Sequence, residues 1–178
     1  LSKASKAGLE IFFIHGNRDF LLDSSFAEST GISLLPDPFF FDYFGKKIAL
    51  SHGDMFCVDD TEYQTFKKQV RSPKWKTEFL NKSLDERKSI ASSMRDASKK
   101  NSSQKDLMIM DVNINEVASF FDKHGIDLLI HGHTHKPNIH ELDGKNSKLK
   151  RVVLGDWDKT GWCFYLDSTS QNLEEFRI

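Results

Sequence analysis

Three histidine–glycine pairs in this 178-residue chain follow apolar runs and lead into side chains that bind metals. They are His15-Gly16-Asn17, His52-Gly53-Asp54 and His131-Gly132-His133-Thr134-His135. Imidazole suits Mn, Fe, Zn and Ni, whereas carboxylate and amide oxygens suit Mn and Mg, so a mixed His/Asn/Asp set points to a divalent ion, Mn²⁺ being the natural choice. A lone histidine at a strand end is usually an ordinary packed side chain. The repetition of the pattern is what argues for a metal site. In "HGHTH" the spacing predicts an extended segment with His133 and His135 facing one cavity. Only Cys57 lies near these loops, which argues against a structural zinc site. Arg18, next to Asn17, carries a planar guanidinium that can hold a phosphate oxygen with two donors, or can pair with Asp19.

Such side chains need rigid elements behind them. "LEIFFIHGN" (9–17) reads as a buried strand and a loop, and "SSFAESTG" (24–31) as a short helix stopped by Gly31. Residues 32–54 read as a strand, then a strand–turn–strand with its turn near Phe44-Gly45-Lys46, then a second His-Gly loop. From Thr61 to about Phe121, Lys, Ser, Gln and Asp are frequent and helical spacing appears, broken once by Pro73, which predicts an insertion of three or four helices. "GIDLLIHGHTH" (125–135) returns to strand-then-histidine. "LKRVVLGDW" (149–157) and "GWCFYLD" (161–167) read as closing strands, with residues 156–160 as the turn between them. The organisation is therefore an α/β core of residues 1–60 and 122–178 with a helical cap insertion at 61–121.

Composition excludes some classes. Lys+Arg is 25 and Asp+Glu is 26, so no global basic field argues for nucleic acid. Hydrophobic content is 38% and mean hydropathy is −0.49, which reads as a soluble globular protein, and no apolar run approaches the roughly 20 residues of a membrane span. Cys57 and Cys163 lack any CxxC spacing and read as reduced thiols. The opening "LSKASKAGLE" has no methionine and reads as the end of an amphipathic helix stopped at Gly8.

In this order, "GNRD", "HGD" and "GHTH" resemble the calcineurin-like metallophosphoesterases, whose pattern runs D-x-H, GD, GN[HR][DE], GH, GHxH. With "FIHGNRDFLL", "HGD-x-x-C-x-DD", "SSQKDLMIMDVN", "LIHGHTHKP" and "RVVLGDW", the set is most similar to the bacterial UDP-2,3-diacylglucosamine pyrophosphatase family of lipid A synthesis. The resemblance runs from about Leu9 to Trp157. It implies a β-sandwich flanked by helices with a helical cap, and a site with two Mn²⁺ ions. Asn17, His52 and His133 would hold one ion and His135 the other. Arg18 and His133 would act in catalysis, and Asn17, Arg18 and His133 would also contact the substrate phosphates. The D-x-H and first GD motifs do not occur, so roughly the first quarter of the family's sequence is expected to be missing and this chain alone to be inactive.

In "MRDASKKNSSQK" (94–105), Arg95, Ser98, Ser102 and Lys105 share one helical face, which by spacing alone reads as a solvated surface. The resemblance assigns substrate contacts to Asp60, Ser98, Ser102 and Lys105, with Tyr63 and Arg95 in second place. "YQTFKKQVRSPKWKTEFL" (63–80) sets aromatic and aliphatic residues among lysines and an arginine, as a helix docking on an anionic leaflet would, or as an ordinary half-buried helix. The expected reaction is hydrolysis of UDP-2,3-diacylglucosamine to UMP and lipid X. The expected place is the cytoplasmic face of the inner membrane of a Gram-negative bacterium, peripherally bound. Two other readings stay open: a phosphodiesterase on a soluble nucleotide, and a metal-free binding module of the same fold.

Overall fold

The structure, a computed structural model, describes residues 1–104, 111–144 and 148–178. It divides into two compact units, Leu1–Phe56 with Ile114–Ile178, and Cys57–Asn113. The expected insertion ran to residue 121, whereas the helix Ile114–His124 falls in the first unit.

In the first unit, after helix α1 (Ser2–Lys6), strand β1 (Phe12–Ile14) pairs in parallel with β2 (Ser33–Leu35) as a two-stranded sheet. The sequence predicts a buried strand here, yet Phe12 is exposed and Phe13 and Ile14 are half-buried, and among the described residues β1 pairs with β2 alone. Between them α2 (Ser24–Thr30) forms as expected. The Asp23 carboxylate accepts from the Phe26 N–H at its start, and Gly31 takes φ 72° at its end, where a residue without Cβ is least strained.

A five-stranded sheet follows, in the order β3 (Phe39–Tyr43), β4 (Lys46–Ser51), β5 (Leu128–His131), β7 (Lys148–Val153), β6 (Asn138–Asp143). β4, β5 and β7 run parallel, and β3 and β6 are antiparallel edges. The β3–β4 hairpin turns at Phe44-Gly45, where the sequence puts it. The parallel strands read as continuous apolar runs because both their faces are covered. On one face Ile48, Leu128 and Val152 form a core with Phe164, Leu166 and Leu173 from β8 (Thr160–Leu166) and β9 (Gln171–Arg177). On the other, Phe40 stacks on Phe120 of α6 (Ile114–His124), whose Val117, Phe120 and Phe121 are buried. This is a mixed α/β architecture with a central mixed sheet and helices against it.

The predicted closing hairpin does not form. β7 pairs with β5 and β6, while β8 pairs with β9 in a separate sheet. The 154–159 segment crosses between two sheets, and Gly155 is needed because a Cβ there would fall 2.3 Å from Trp162. β6 and β9, which supply those pairings, alternate polar and apolar residues too weakly to stand out in the sequence.

The second unit is helical: α3 (Thr61–Val70), α4 (Pro73–Leu80) and α5 (Leu84–Gln104). Pro73 occupies the first turn of α4, where its missing N–H costs nothing, and Ser72 caps the Trp75 N–H. Ser83 and Glu86 form a reciprocal capping box at the start of α5. Among the described residues no helix is long and apolar enough to cross a membrane.

Candidate metal centre

Ser51 and His131 are register partners at the ends of parallel β4 and β5, so the loops that follow leave the sheet side by side. They are stitched together, since the Gly132 N–H donates to the His52 carbonyl at 3.1 Å. Beyond them the His52 and His133 rings meet edge to face with centroids 4.8 Å apart. Gly53 has φ 107°, and a Cβ on it would lie 2.6 Å from His131 Nδ1, so only glycine lets the two loops approach this closely. Below the first loop the Ser51 hydroxyl donates to Asp37 Oδ1 at 2.7 Å and accepts from the Gly53 N–H at 3.1 Å.

The β1 corner reaches the same place from the small sheet. A Cβ on Gly16 would lie 3.3 Å from the His52 ring, which sets the Asn17 backbone one residue away from His52's neighbour. Asp19 does not pair with Arg18. Its Oδ1 accepts the Gly16 N–H at 2.5 Å and so closes the loop on itself. Asn17 and Arg18 are exposed, and Arg18 makes no ion pair among the described residues. His15 Nε2 lies 2.8 Å from the Leu22 carbonyl, which commits this imidazole to holding the loop.

The "HGHTH" segment is not extended. His133 and His135 both take left-handed backbone, φ 68° and 52°, and the Thr134 N–H bonds the Gly132 carbonyl at 2.9 Å. Simple alternation therefore does not place these two rings. His133 is turned toward His52. His135 is largely exposed, with Nδ1 3.8 Å from the Asp156 carboxylate.

Chemically, the pair His52/His133 can address one cation. Among the described residues, His52 Nδ1 is buried without a hydrogen-bond partner, 3.4 Å from the wholly buried Asp54 carboxylate, and the Thr134 hydroxyl oxygen is also buried without one. Unsatisfied buried polar atoms are costly, and their clustering here fits a site that receives a ligand. Among the described residues no three His, Cys, Asp or Glu side chains gather closely enough to hold a metal on their own, so the amide of Asn17 is the natural further donor from this chain. Asp54, His131, Arg151 and Asp37 support the site. Asp54, His131 and Arg151 stand in the "HGD", "HGHTH" and "RVVLGDW" motifs and Asp37 stands outside them, but the supporting role of each comes from contacts that only the fold makes.

The candidate substrate residues in the helical unit are distributed differently. Asp60 caps α3, its Oδ1 accepting the Tyr63 N–H at 3.1 Å. Arg95 and Ser98 are exposed on α5. Ser102 belongs to α5, its side chain lying outside the description, and Lys105 lies outside the described residues.

The calcineurin-like phosphoesterase family matches residues 2–137. A UDP-2,3-diacylglucosamine hydrolase of Cellvibrio japonicus is 40% identical over all of this chain and 74% of its own length. One from Escherichia coli K12 is 45% identical over 90% of this chain and 67% of its own length. A solved structure, vacuolar protein sorting 29 from Cryptosporidium parvum, aligns over 85% of this chain and 61% of that one at 14% identity and TM-score 0.35.

Proposed function

Because this chain belongs to the calcineurin-like phosphoesterases, a family that uses divalent metals, we propose that it hydrolyses the pyrophosphate bond of UDP-2,3-diacylglucosamine, releasing UMP and 2,3-diacylglucosamine 1-phosphate (lipid X). The observation that carries the reading is the meeting of the His52 and His133 rings at the joined ends of β4 and β5, in a chain 40–45% identical to hydrolases named for that substrate.

In this reading Asn17, His52 and His133 hold one Mn²⁺ ion and His135 contributes to a second. Bound there, divalent cations supply positive charge to the phosphate oxygens and lower the pKa of the attacking water. Phosphoryl transfer depends mainly on positioning and charge stabilisation. Arg18 contributes both, since its exposed guanidinium is not held by Asp19 and can bracket a phosphate oxygen with two donors. The His133 imidazole orients a phosphate oxygen, and Asp60, Ser98, Ser102 and Lys105 bind the acylated sugar. An amphiphilic substrate favours work at the cytoplasmic face of an inner membrane. Phe66 and Leu80 are exposed on α3 and α4, which also carry the exposed Lys68 and Lys74, a composition that suits transient contact with an anionic leaflet.

The test is UMP release from UDP-2,3-diacylglucosamine in detergent with Mn²⁺, Mg²⁺ or Zn²⁺. It is run on this chain and on a chimera carrying the part of the Cellvibrio japonicus relative outside the match, each with a His133→Ala control. The expected outcome is Mn²⁺-dependent release that falls more than about 100-fold on His133→Ala, beyond the range usual for residues that merely support ligands. Absence of release from both proteins overturns the reading.

A further inference from the structure

We propose that Arg151 and His131 are a pair of positioning residues that set the backbone conformation of His133, and through it the direction of the His133 imidazole. The inference rests on the reading that His133 binds a divalent ion. Arg151 on β7 sits opposite Leu129, on the same sheet face as His131 two residues further along β5. Both side chains are buried. Arg151 Nη1 lies 3.3 Å from His131 Nε2. A guanidinium only donates, so Nε2 accepts and the ring proton sits on Nδ1. That Nδ1–H then donates to the Gly132 carbonyl at 2.9 Å.

The Gly132 carbonyl belongs to the peptide plane that joins Gly132 to His133. Rotating this plane changes the Gly132 ψ and the His133 φ together. His133 has φ 68°, a region that L-residues with a Cβ disfavour, so a peptide flip would relieve strain unless something holds the carbonyl. The His131 ring holds it. The N–H of the same glycine is tied to the His52 carbonyl at 3.1 Å, so one residue carries the link to both metal-facing histidines. The imidazole packs beside the Phe56 ring, centroids 6.0 Å apart, in space that glycine at position 53 leaves open, since a Cβ there would lie 2.6 Å from His131 Nδ1. The resulting chain runs from Arg151 through His131 and Gly132 to His52 and His133.

Four variants of the full chain test this: His131→Asn, His131→Leu, Arg151→Lys and Arg151→Met. An Asn side-chain N–H₂ reaches the position of Nδ1–H and keeps the bond to Gly132, whereas Leu cannot. Titration with Mn²⁺ alone, read as loss of the free-ion EPR signal, is expected to show His131→Asn within about 3-fold of wild type. His131→Leu and Arg151→Met are expected to be weaker by about 10–100-fold, with Arg151→Lys in between. Without metal, long-range ¹H–¹⁵N spectra are expected to show His131 as the Nδ1–H tautomer in the wild type and as a mixture in Arg151→Met, with faster exchange of the Gly132 amide. The proposal is overturned if Asn and Leu at 131 weaken Mn²⁺ alike, or if Arg151→Met leaves the tautomer and the Gly132 exchange unchanged. Should the wild-type chain take up no Mn²⁺, the metal reading fails while the tautomer and exchange measurements still decide the positioning role. If His131→Leu does not fold, the two Arg151 variants carry the comparison.

Discussion

The β4 and β5 corners and the β1 corner end in the same His-Gly dipeptide but are built in opposite ways. The first two lie on neighbouring parallel strands, are tied by the Gly132 N–H to His52 carbonyl bond, and rest on the buried side chains of Ser51, Asp54, His131 and Arg151. The third closes on itself through Asp19 and leaves Asn17 and Arg18 exposed. Buried, cross-linked corners fix the geometry of the side chains they carry at the cost of tolerance to substitution. An exposed corner can present a long guanidinium to a phosphate without disturbing the core. Stability and catalysis should therefore separate along this division.

The sharpest way to break the comparison is glycine to alanine at each corner. Gly53→Ala combines φ 107° with a 2.6 Å approach to a buried ring and should lose about 3 kcal/mol of unfolding free energy in urea. Gly16→Ala meets His52 at only 3.3 Å and should lose about 1 kcal/mol or less. Equal losses would remove the distinction. Next, Arg18→Ala, made in the chain that shows turnover or in the chimera, should reduce kcat by about 10–100-fold with no change in melting temperature, because the side chain has no ion-pair partner to lose among the described residues, and Arg18→Lys should recover only part because an ammonium lacks the planar fork. A fall in melting temperature would show that the β1 corner is structural like the others. Ser51→Ala removes the acceptor of the buried Gly53 N–H and should cost roughly 1.5 kcal/mol, visible as a shift in the denaturation midpoint.

The smallest effect lies far from the corners and serves as a baseline. The Thr169 N–H, with the Ser170 and Thr169 hydroxyls and the Ser170 N–H, holds the Asp167 carboxyl well below its ordinary value of 3.8. A carboxylate depressed in the folded state stabilises it at pH values above the unfolded pKa, and that contribution is lost as pH falls through the folded one. Asp167→Asn should lower the melting temperature by a constant small amount from pH 7 to about pH 5, with the gap closing on acidification below about pH 4. A gap that widened in acid would reverse the sign and reject the account.

Much of this was legible in the primary sequence because it depends on local chemistry. Apolar runs ending in His-Gly, the Phe44-Gly45 turn, the helix stop at Gly31 and the polar helical stretch from Thr61 each follow from short-range periodicity and backbone preference. The same local rules failed where pairing is remote. The 149–167 stretch has two strand-like runs and a turn-like link, but β7 finds its partners at β5 and β6, and β8 at β9. Alternation likewise misjudged His133 and His135, whose left-handed backbones answer to bonds made by Gly132 rather than to their spacing.

By itself, then, the amino-acid order determined which residue types stand at the ends of which strands, and hence the class of chemistry they serve. Only the tertiary structure decided which corner histidines meet one another and which are spent holding a loop. His52 meets His133, while His15 is bound to Leu22 and His131 to Gly132 and Arg151. The physical reason is that an imidazole's role is set by what its two nitrogens touch, and those partners come from strands and loops that only the folded sheet brings together.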